Sequence, residues 1–412
     1  MKILMVNTYD IRGGAARSAL RIYQALKSQQ VDVKLMVQNK WGDDDDILGP
    51  SGRFNKMAAE LRPYLDFAIT FPWHRRRIPF FPAYLPGNFI RRVKKVGPDI
   101  IHLNWITGGF VRLESLAKLN VPIVWTLHDM WAFTGGCHYA EECTRYEKAC
   151  GACPILKSSK EHDLSRWIFN RKTETYRKIR NLTIITPSHW LAGCVRRSPL
   201  LGGFPVEVIP NSLDTGVFFP ENKALSRKHF GFAADRKIIL FGALDATKNR
   251  LKGFIELSEA LQLIPDKKNI ELAVFGSAKR ETTSLPGFNA RYLGHIADDG
   301  ELRKLYSAAD VMVAPSIQEV FGQTATEAMA CGTPVVAFGA TGLLDIVEHK
   351  VNGYLAEPFK PEDLAAGILW CLGNRERNRQ FSSAAVETVK NKFDMKKNIH
   401  QIISLYEQLT NH

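Results

Sequence analysis

Short apolar runs rich in Val, Ile and Leu alternate along the chain with segments whose apolar residues recur at helical spacing. Nearly continuous apolar runs of this length are typical of parallel strands that are covered on both faces. In the first half of the chain these runs start at Lys2, Val31, Asp99, Pro122 and Leu182. The pattern therefore predicts a series of β-α-β units that form one parallel sheet.

A second series of the same kind follows a junction near residue 206. Its apolar runs start at Lys237, Ile270, Ala290, Asp310 and Pro334. Two successive series predict two Rossmann-like domains, 1–205 and 206–384, because each doubly wound domain is built around its own sheet. Ligands of such domains bind at the carboxyl ends of the strands. We expect the amphipathic C-terminal segment 385–412 to pack back onto the first domain.

The composition is that of a globular protein with more than one domain. A chain of 412 residues exceeds the size at which single cores stop growing. Hydrophobic residues make up 45% and charged residues 24%, which is an ordinary balance for a water-exposed fold. No apolar run approaches the ~20 residues that span a bilayer, and the N-terminal sequence lacks the features of a signal peptide. We expect a cytoplasmic protein.

Positive charge is concentrated in one part of the chain. The net charge is +13, and the segment Arg53–Lys95 contains ten Lys or Arg residues but only two acids. Aromatic residues are interleaved with the basic ones, and Arg75, Arg76 and Arg77 are consecutive. A basic, aromatic surface can contact anionic lipid or a phosphate-bearing acceptor. We expect peripheral contact with the inner face of the cell membrane and no nucleic acid partner. The alternative is a solvated face without a partner.

The most informative segment is QEVFGQTATEAMACGTPVVAF, which runs from Gln318 to Phe338 after an apolar strand. Gly322 precedes a predicted helix and allows backbone amides to approach a ligand closely. The N-terminus of that helix provides amide donors and a positive dipole end for a phosphate. A carboxylate such as Glu327 can accept both hydroxyls of a ribose, and Glu319 can reach the hydroxyls of an attached sugar.

This segment resembles the signature of the retaining, family-four glycosyltransferases, in which a Glu-x7-Glu element and a helix precede a Gly-x-Pro-Val strand. The residues that match in order are Glu319, Phe321, Gly322, Glu327, Gly332, Pro334 and Val335. The resemblance implies the GT-B fold, an α/β architecture of two facing Rossmann-like domains with an interdomain cleft. It also implies transfer of a sugar from a nucleoside diphosphate sugar to a glycan or polyprenyl-diphosphate-linked acceptor, with retention of configuration. The family requires no cofactor for catalysis.

The resemblance also assigns roles to residues along the chain. The predicted catalytic residues are His128, which follows a strand and matches a histidine that faces the donor sugar, and Glu319. Lys252 matches a lysine that holds the donor diphosphate. Ala243 stands where the family has an arginine, and Arg250 or Lys248 is the candidate substitute. The predicted donor-binding residues are Gly14, Arg250, Lys252, Ile296, Asp298, Phe321, Gly322, Gln323 and Glu327.

Each of these assignments has a structural alternative. Glu327 is alternatively a carboxylate on the helix surface, Glu319 a helix-capping acid and Lys252 a solvated lysine. For His128 the alternative is a packed histidine that is held by Asp129. Two rival functions suit the same fold, namely a nucleotide-sugar epimerase and a non-catalytic, two-lobed nucleotide-sugar-binding protein. The glycines after the first strand do not form G-x-G-x-x-G, which argues against a dinucleotide oxidoreductase.

Four cysteines are clustered with the spacing Cys-x5-Cys-x6-Cys-x2-Cys. They are Cys137, Cys143, Cys150 and Cys153. Four thiolates in a reducing compartment suit a structural zinc ion with tetrahedral sulfur coordination, and His138 is an alternative ligand. The other interpretation is a loop of four cysteines that are reduced or joined as disulfides.

Overall fold

The computed structural model describes residues 1–73, 79–242, 247–276 and 287–410. The chain divides into two compact units, one formed by Met1–Ile209 with Asn398–His412 and the other by Pro210–Lys397. The sequence placed the domain boundaries at 205/206 and 384/385, whereas the structure places them at 209/210 and 397/398. Arg75, Arg76, Arg77 and Ala243, which the sequence singled out, lie outside the described residues.

The first unit contains a parallel sheet of seven strands. In chain order the strands are β1 (Lys2–Tyr9), β2 (Asp32–Asn39), β3 (Ile47–Leu48), β4 (Ile100–Leu103), β5 (Ile123–Thr126), β6 (Leu182–Thr186) and β7 (Val206–Val208). Their spatial order is β3-β2-β1-β4-β5-β6-β7. The strand order therefore reverses between β1 and β4, which is where a doubly wound domain binds ligands.

Among the described residues of the first unit, five α-helices lie wholly within it. They are α1 (Gly14–Ser28), α2 (Arg53–Ala68), α3 (Phe89–Val96), α4 (Leu164–Tyr176) and α5 (His189–Arg197). Helix α1 shows why the sequence forms a helix here, since its buried residues Ala19, Ile22, Tyr23 and Leu26 recur at intervals of three and four. This stripe packs on the sheet, whose central strands are buried on both faces, as continuous apolar runs predict.

The second unit contains a parallel sheet of six strands. They are β8 (Lys237–Gly242), β9 (Ile270–Phe275), β10 (Asn289–Tyr292), β11 (Val311–Ala314), β12 (Val335–Phe338) and β13 (Gly353–Ala356). The spatial order is β10-β9-β8-β11-β12-β13, so the order reverses between β8 and β11. Two sheets with associated helices confirm the predicted α/β class.

The helices of the second unit surround this sheet. They are α6 (Lys223–Phe230), α7 (Phe254–Gln262), α8 (Asp299–Ala308), α9 (Gln323–Ala330), α10 (Pro361–Leu372) and α11 (Arg375–Lys392). One core cluster includes Leu240, Met312, Ala325 and Met329, which joins β8 and β11 to α9 on one side of the sheet. This packing fixes α9 directly beyond the carboxyl end of β11.

The last helix, α12 (Met395–Thr410), begins in the second unit and continues into the first. Ile402 and Tyr406 are buried, and the Tyr406 hydroxyl lies 2.5 Å from Nδ1 of His102 on β4. The described part of the chain contains no helix that is both long and apolar enough to cross a bilayer.

Candidate active site

The loops that follow β8 and β11 meet at the point where the second sheet reverses its strand order. The backbone amide of Ile317 donates to the carbonyl of Leu251 at 2.9 Å, which joins the two loops. Gly253 has a φ of 71°, and a Cβ atom there would overlap the carbonyl oxygen of Pro315. Only glycine suits both the dihedral angle and the close approach. Because Gly253 lies against Pro315, the adjacent residue Lys252 lies close to the loop after β11.

Lys252 and Glu319 form an ion pair across these two loops. The Lys252 Nζ atom lies 2.5 Å from Glu319 Oε2, and Ser316 Oγ donates to the same oxygen at 3.3 Å. The backbone amide of Glu319 donates to Thr341 Oγ1 at 3.1 Å, which fixes the backbone that carries the carboxylate. The two charged side chains are 23% and 21% exposed, so a ligand can still reach them.

Helix α9 begins four residues after Glu319. Gly322 has a φ of 113°, and a Cβ atom there would lie 2.8 Å from Leu343 Cδ2. Phe321 is buried and packs edge-to-face on Phe393 at 5.5 Å between ring centroids. The helix therefore begins at Gln323 in a fixed place, with its positive dipole end beside the ion pair.

Glu327 lies on α9 and is only 3% exposed. Its Oε2 atom accepts a hydrogen bond at 2.9 Å from the hydroxyl of Tyr306, a fully buried residue of α8. The alternative of a carboxylate on the helix surface is therefore wrong. A buried carboxylate with a fixed orientation is suited to accept hydrogen bonds from a ligand.

The remaining donor-binding predictions have local structural roles in the second unit. Arg250 pairs with Glu256 at 2.7 Å, so its charge is directed to α7. Asp298 caps α8 by accepting from the amide of Glu301 at 2.8 Å, and Ile296 packs against the core. Their contacts with a donor stay predictions.

The first unit has an equivalent reversal point between β1 and β4. The amide of Thr8 donates to the carbonyl of Trp105 at 2.7 Å, and the amide of Trp105 donates to Asn7 Oδ1 at 2.8 Å. Gly13 has a φ of 90° and Gly14 is the first residue of α1. The predicted glycine loop is thus the turn from β1 into a 15-residue helix, where a phosphate is favoured.

His128 lies just beyond the carboxyl end of β5. Its Nε2 atom is 3.0 Å from Asn104 Oδ1, and burial lowers the pKa of His128 to about 4 although Asp129 raises it. The imidazole is therefore neutral near pH 7 and can donate or accept a hydrogen bond. Asp129 pairs instead with His138, whose Nδ1 atom lies 2.6 Å from Asp129 Oδ2. The alternative in which Asp129 holds His128 is wrong.

A second buried histidine, His102, predicts that the first unit becomes less stable in acid. Burial lowers the pKa of His102 to about 3, below the ordinary value of 6.5. Between these values the unfolded chain binds a proton that the folded unit does not, so stability falls as the pH drops below 6.5. When the pH falls from 7 to 5, we expect the free energy of unfolding to decrease in the wild type by about 2 kcal/mol more than it decreases in His102→Gln. Urea denaturation at both pH values measures this difference, and equal losses would contradict the prediction.

The four clustered cysteines come together in the first unit. The residues that line one cavity of about 20 Å³ include Cys137, Cys143, Cys150 and Cys153. Burial raises the pKa of Cys150 to about 12, so this thiol is protonated near neutral pH. Within the described ranges no three His, Cys, Asp or Glu side chains form a group that could hold a metal ion. Zinc binding stays a prediction, and the alternative ligand His138 pairs with Asp129.

Several contacts of these sites were not found from the sequence. They involve Asn104, Tyr306, Ser316 and Thr341. Asn104 directly follows β4, and a polar residue at the carboxyl end of a buried strand is a signal that points to a site. Tyr306 carries no such signal, because an aromatic residue in an amphipathic helix is ordinary core.

Comparison with known proteins agrees with this arrangement. Residues 12–217, half of the chain, match the family described as Glycosyltransferase Family 4. Residues 203–388 match the family described as Glycosyl transferases group 1. The second match contains Lys252, Ser316, Glu319 and Glu327.

Individual proteins give the same result. The chain is 34% identical over 193 residues to a D-inositol 3-phosphate glycosyltransferase of Segniliparus rotundus, covering 44% of this chain and 42% of the relative. It is 32% identical over 290 residues to an uncharacterized glycosyltransferase of Methanocaldococcus jannaschii, covering 66% of this chain and 65% of the relative. The matched regions thus span 42% and 65% of the length of these two relatives.

A solved structure resembles the whole chain. It is the Anabaena protein HepE in complex with UDP-glucose, with a TM-score of 0.66, 19% identity and coverage of 99% of this chain and 100% of that one. At this identity the likeness shows the fold, which is the GT-B fold.

Proposed function

Because the chain belongs to glycosyltransferase family 4, we propose that it transfers a sugar from a nucleoside diphosphate sugar to a glycan or polyprenyl-diphosphate-linked acceptor. The observation that carries the proposal is the ion pair between Lys252 and Glu319, whose carboxylate lies four residues before the first residue of α9. A cation and a helix N-terminus favour a diphosphate, and the carboxylate beside them accepts sugar hydroxyls. The names of the relatives agree with glycosyl transfer, and the UDP-glucose bound to HepE agrees with this class of donor.

In the proposed reaction the bond between the sugar C1 atom and the diphosphate oxygen breaks, and the acceptor oxygen bonds to C1 on the same face. The acceptor proton passes to the departing diphosphate, which assists the attack. Negative charge grows on the diphosphate as the bond breaks, so Lys252 and the amides of α9 stabilise the transition state more than the ground state. This route retains the anomeric configuration and requires no cofactor.

The other residues orient the donor in this proposal. Glu327 accepts the ribose hydroxyls, and the Tyr306 hydroxyl holds the carboxylate in place. When the donor binds, its diphosphate pairs with Lys252 in place of Glu319. The Glu319 carboxylate is then free to accept hydrogen bonds from hydroxyls of the transferred sugar. The neutral His128 imidazole contributes a hydrogen bond at the reaction centre rather than a positive charge.

An assay with separate donor and acceptor tests this function. The protein is incubated with UDP-, GDP- and ADP-linked hexoses, with and without a panel of glycan and polyprenyl-diphosphate acceptors, and the released nucleoside diphosphate is measured. A transferase releases it only when an acceptor is present. An isomerised donor without acceptor would identify an epimerase, and donor binding without turnover would identify a binding protein.

Glu327→Gln is expected to weaken the binding of the cognate nucleoside diphosphate by about tenfold to a hundredfold. The variant loses a charge-assisted hydrogen bond to a ribose hydroxyl, and such bonds contribute about 1.5–3 kcal/mol. Isothermal titration with UDP, GDP and ADP measures the change. Glu259→Gln removes an exposed carboxylate of α7 and is the matched control. An unchanged affinity in Glu327→Gln would show that Glu327 does not bind the ribose hydroxyls.

A further inference from the structure

The first unit contains a large cavity lined by cations. Its volume is about 1030 Å³, and it lies against α2, α3 and the strands β2 and β3. Its apolar floor includes Met36, Leu48 and Phe110, and no Asp or Glu is among the described residues that line it. The cationic residues that line it are Lys2, Lys34, Arg62, Arg91, Arg92 and Lys95. A cavity of this kind favours a ligand with a negative charge and an apolar part.

Two of these cations are held in place by the backbone. Arg62 Nε donates to the carbonyl of Gly109 at 2.6 Å, and Arg92 Nη2 donates to the carbonyl of Leu48 at 2.8 Å. Burial lowers the pKa of both guanidinium groups, but arginine stays charged at neutral pH. Their positive charge is therefore fixed at the cavity wall. Asp66, on the same helix as Arg62, offsets part of the Arg62 charge, but it is not among the residues that line the cavity.

Helix α2 presents an apolar stripe to solvent next to this cavity. The exposed fractions are 84% for Phe54, 54% for Met57, 52% for Leu61, 74% for Tyr64 and 54% for Leu65. Their intervals of three, four and seven residues place them along one side of the helix. The cavity wall uses Asn55, Ala58, Ala59 and Arg62 of the same helix. At 100° per residue this set lies on the adjoining side, so the stripe borders the cavity.

This combination favours one kind of partner. Single exposed apolar residues are ordinary on a protein surface, but a contiguous stripe of five marks an interaction site. A second copy of the chain in a two-fold dimer would bring two clusters of cations together, which is unfavourable. An anionic membrane offers apolar interior to the stripe and phosphate headgroups to the cations.

We propose that α2 and the adjoining cationic cavity form a docking surface for an anionic membrane. The apolar side chains of α2 enter the interfacial layer, and the cavity holds the phosphate of a lipid headgroup. This assignment gives the predicted membrane contact a location, and it does not depend on the proposed transfer of a sugar.

Co-sedimentation with vesicles tests the docking surface in the full-length protein. We expect binding to vesicles that contain phosphatidylglycerol, much weaker binding to pure phosphatidylcholine, and a loss of affinity as salt screens the cations. Equal binding to both kinds of vesicle, or no binding to either at low salt, would overturn the proposal. Binding of free inorganic phosphate without any binding to vesicles would also overturn it.

Two variants separate the contributions of charge and apolar contact. Arg91→Gln with Lys95→Gln is expected to weaken vesicle binding about 25-fold, since each cation near an anionic surface contributes about fivefold. Phe54→Gln with Leu61→Gln and Leu65→Gln is expected to weaken it about tenfold or more, because less apolar surface enters the membrane. All of these positions are exposed on helices, and glutamine preserves helix propensity.

Matched changes in the second unit are the controls for these variants. Lys268→Gln with Lys390→Gln removes two exposed cations, and Leu225→Gln with Leu263→Gln removes two exposed apolar side chains. We expect the controls to bind vesicles as the wild type does. If the controls weaken binding as much as the α2 variants, or if the α2 stripe variant converts a dimer to a monomer without lipid, the proposal is wrong. Nucleoside diphosphate affinity, which reports on the second unit, is expected to be unchanged throughout.

Discussion

Replacing Lys252 with methionine is expected to lower kcat by about a hundredfold to a thousandfold while leaving the protein folded. Loss of one preorganised donor that stabilises developing charge typically costs this much. Methionine retains most of the apolar length of the side chain and removes the ammonium group that lies 2.5 Å from Glu319. Because in the proposed reaction the charge on the diphosphate grows as the glycosidic bond breaks, we expect KM for the donor to change less than kcat.

Arg250→Met provides a matched control two residues away. Arg250 has the same charge and lies in the same loop, but its guanidinium pairs with Glu256 at 2.7 Å and is 55% exposed. If Arg250 only pairs with Glu256, this variant keeps kcat within about threefold of the wild type, whereas a large loss confined to Arg250→Met would assign Arg250 to the donor diphosphate. Equal losses in both variants would mean that the loop needs positive charge in general. An unchanged kcat in Lys252→Met would show that Lys252 does not act on the leaving group.

The variant Glu319→Gln tests whether Glu319 only positions Lys252 or also binds the transferred sugar. If the carboxylate only holds Lys252 in place, Glu319→Gln and Lys252→Met remove the same interaction. Both are then expected to lower kcat, and kcat of the double variant is expected to be no lower than that of Lys252→Met. If Glu319 also accepts hydroxyls of the transferred sugar, the two losses add. Steady-state kinetics of the two single variants and the double variant distinguish these cases.

The sequence predicted the α/β class and the motif, because both are encoded by short-range patterns. Parallel strands appear as continuous apolar runs, and the segment from Glu319 to Val335 forms a loop, helix α9 and the start of β12, which are consecutive in the chain. The contact between Lys252 and Glu319 could also be predicted from the sequence, since neighbouring strands of a doubly wound sheet bring their carboxyl-end loops together.

Other parts of the site could not be predicted because they depend on tertiary partners. Arg250 and Lys252 look alike in sequence, and only the structure shows that Arg250 is directed to Glu256. The structural alternative for His128 made Asp129 its partner, but a side chain at the end of a strand can point to either face of the sheet, and Asp129 pairs with His138. The domain boundary at residue 398 depends on where α12 begins to pack on the first unit.

The contact between Tyr406 and His102 is another such long-range pairing, and it predicts the largest stability effect. Both side chains are completely buried, and the Tyr406 hydroxyl lies 2.5 Å from His102 Nδ1, while His102 Nε2 lies 2.7 Å from Thr126 Oγ1. Burial raises the pKa of the Tyr406 hydroxyl, so it stays protonated. The C-terminal helix is thereby tied to the central strands of the first sheet.

Tyr406→Ala is expected to destabilise the first unit by about 3–5 kcal/mol, because it leaves a large cavity and removes the hydrogen-bond partner of a buried imidazole. Tyr406→Phe retains the packing and loses only the hydroxyl, so we expect a cost of about 1–3 kcal/mol. Glu407→Ala, at the next and exposed position of the same helix, is expected to change stability by less than about 0.5 kcal/mol. Urea denaturation of the three variants at pH 7 measures these differences. If Tyr406→Ala unfolds at the same urea concentration as Glu407→Ala, the C-terminal helix does not stabilise the first unit, and its residues after 397 only lie against the sheet.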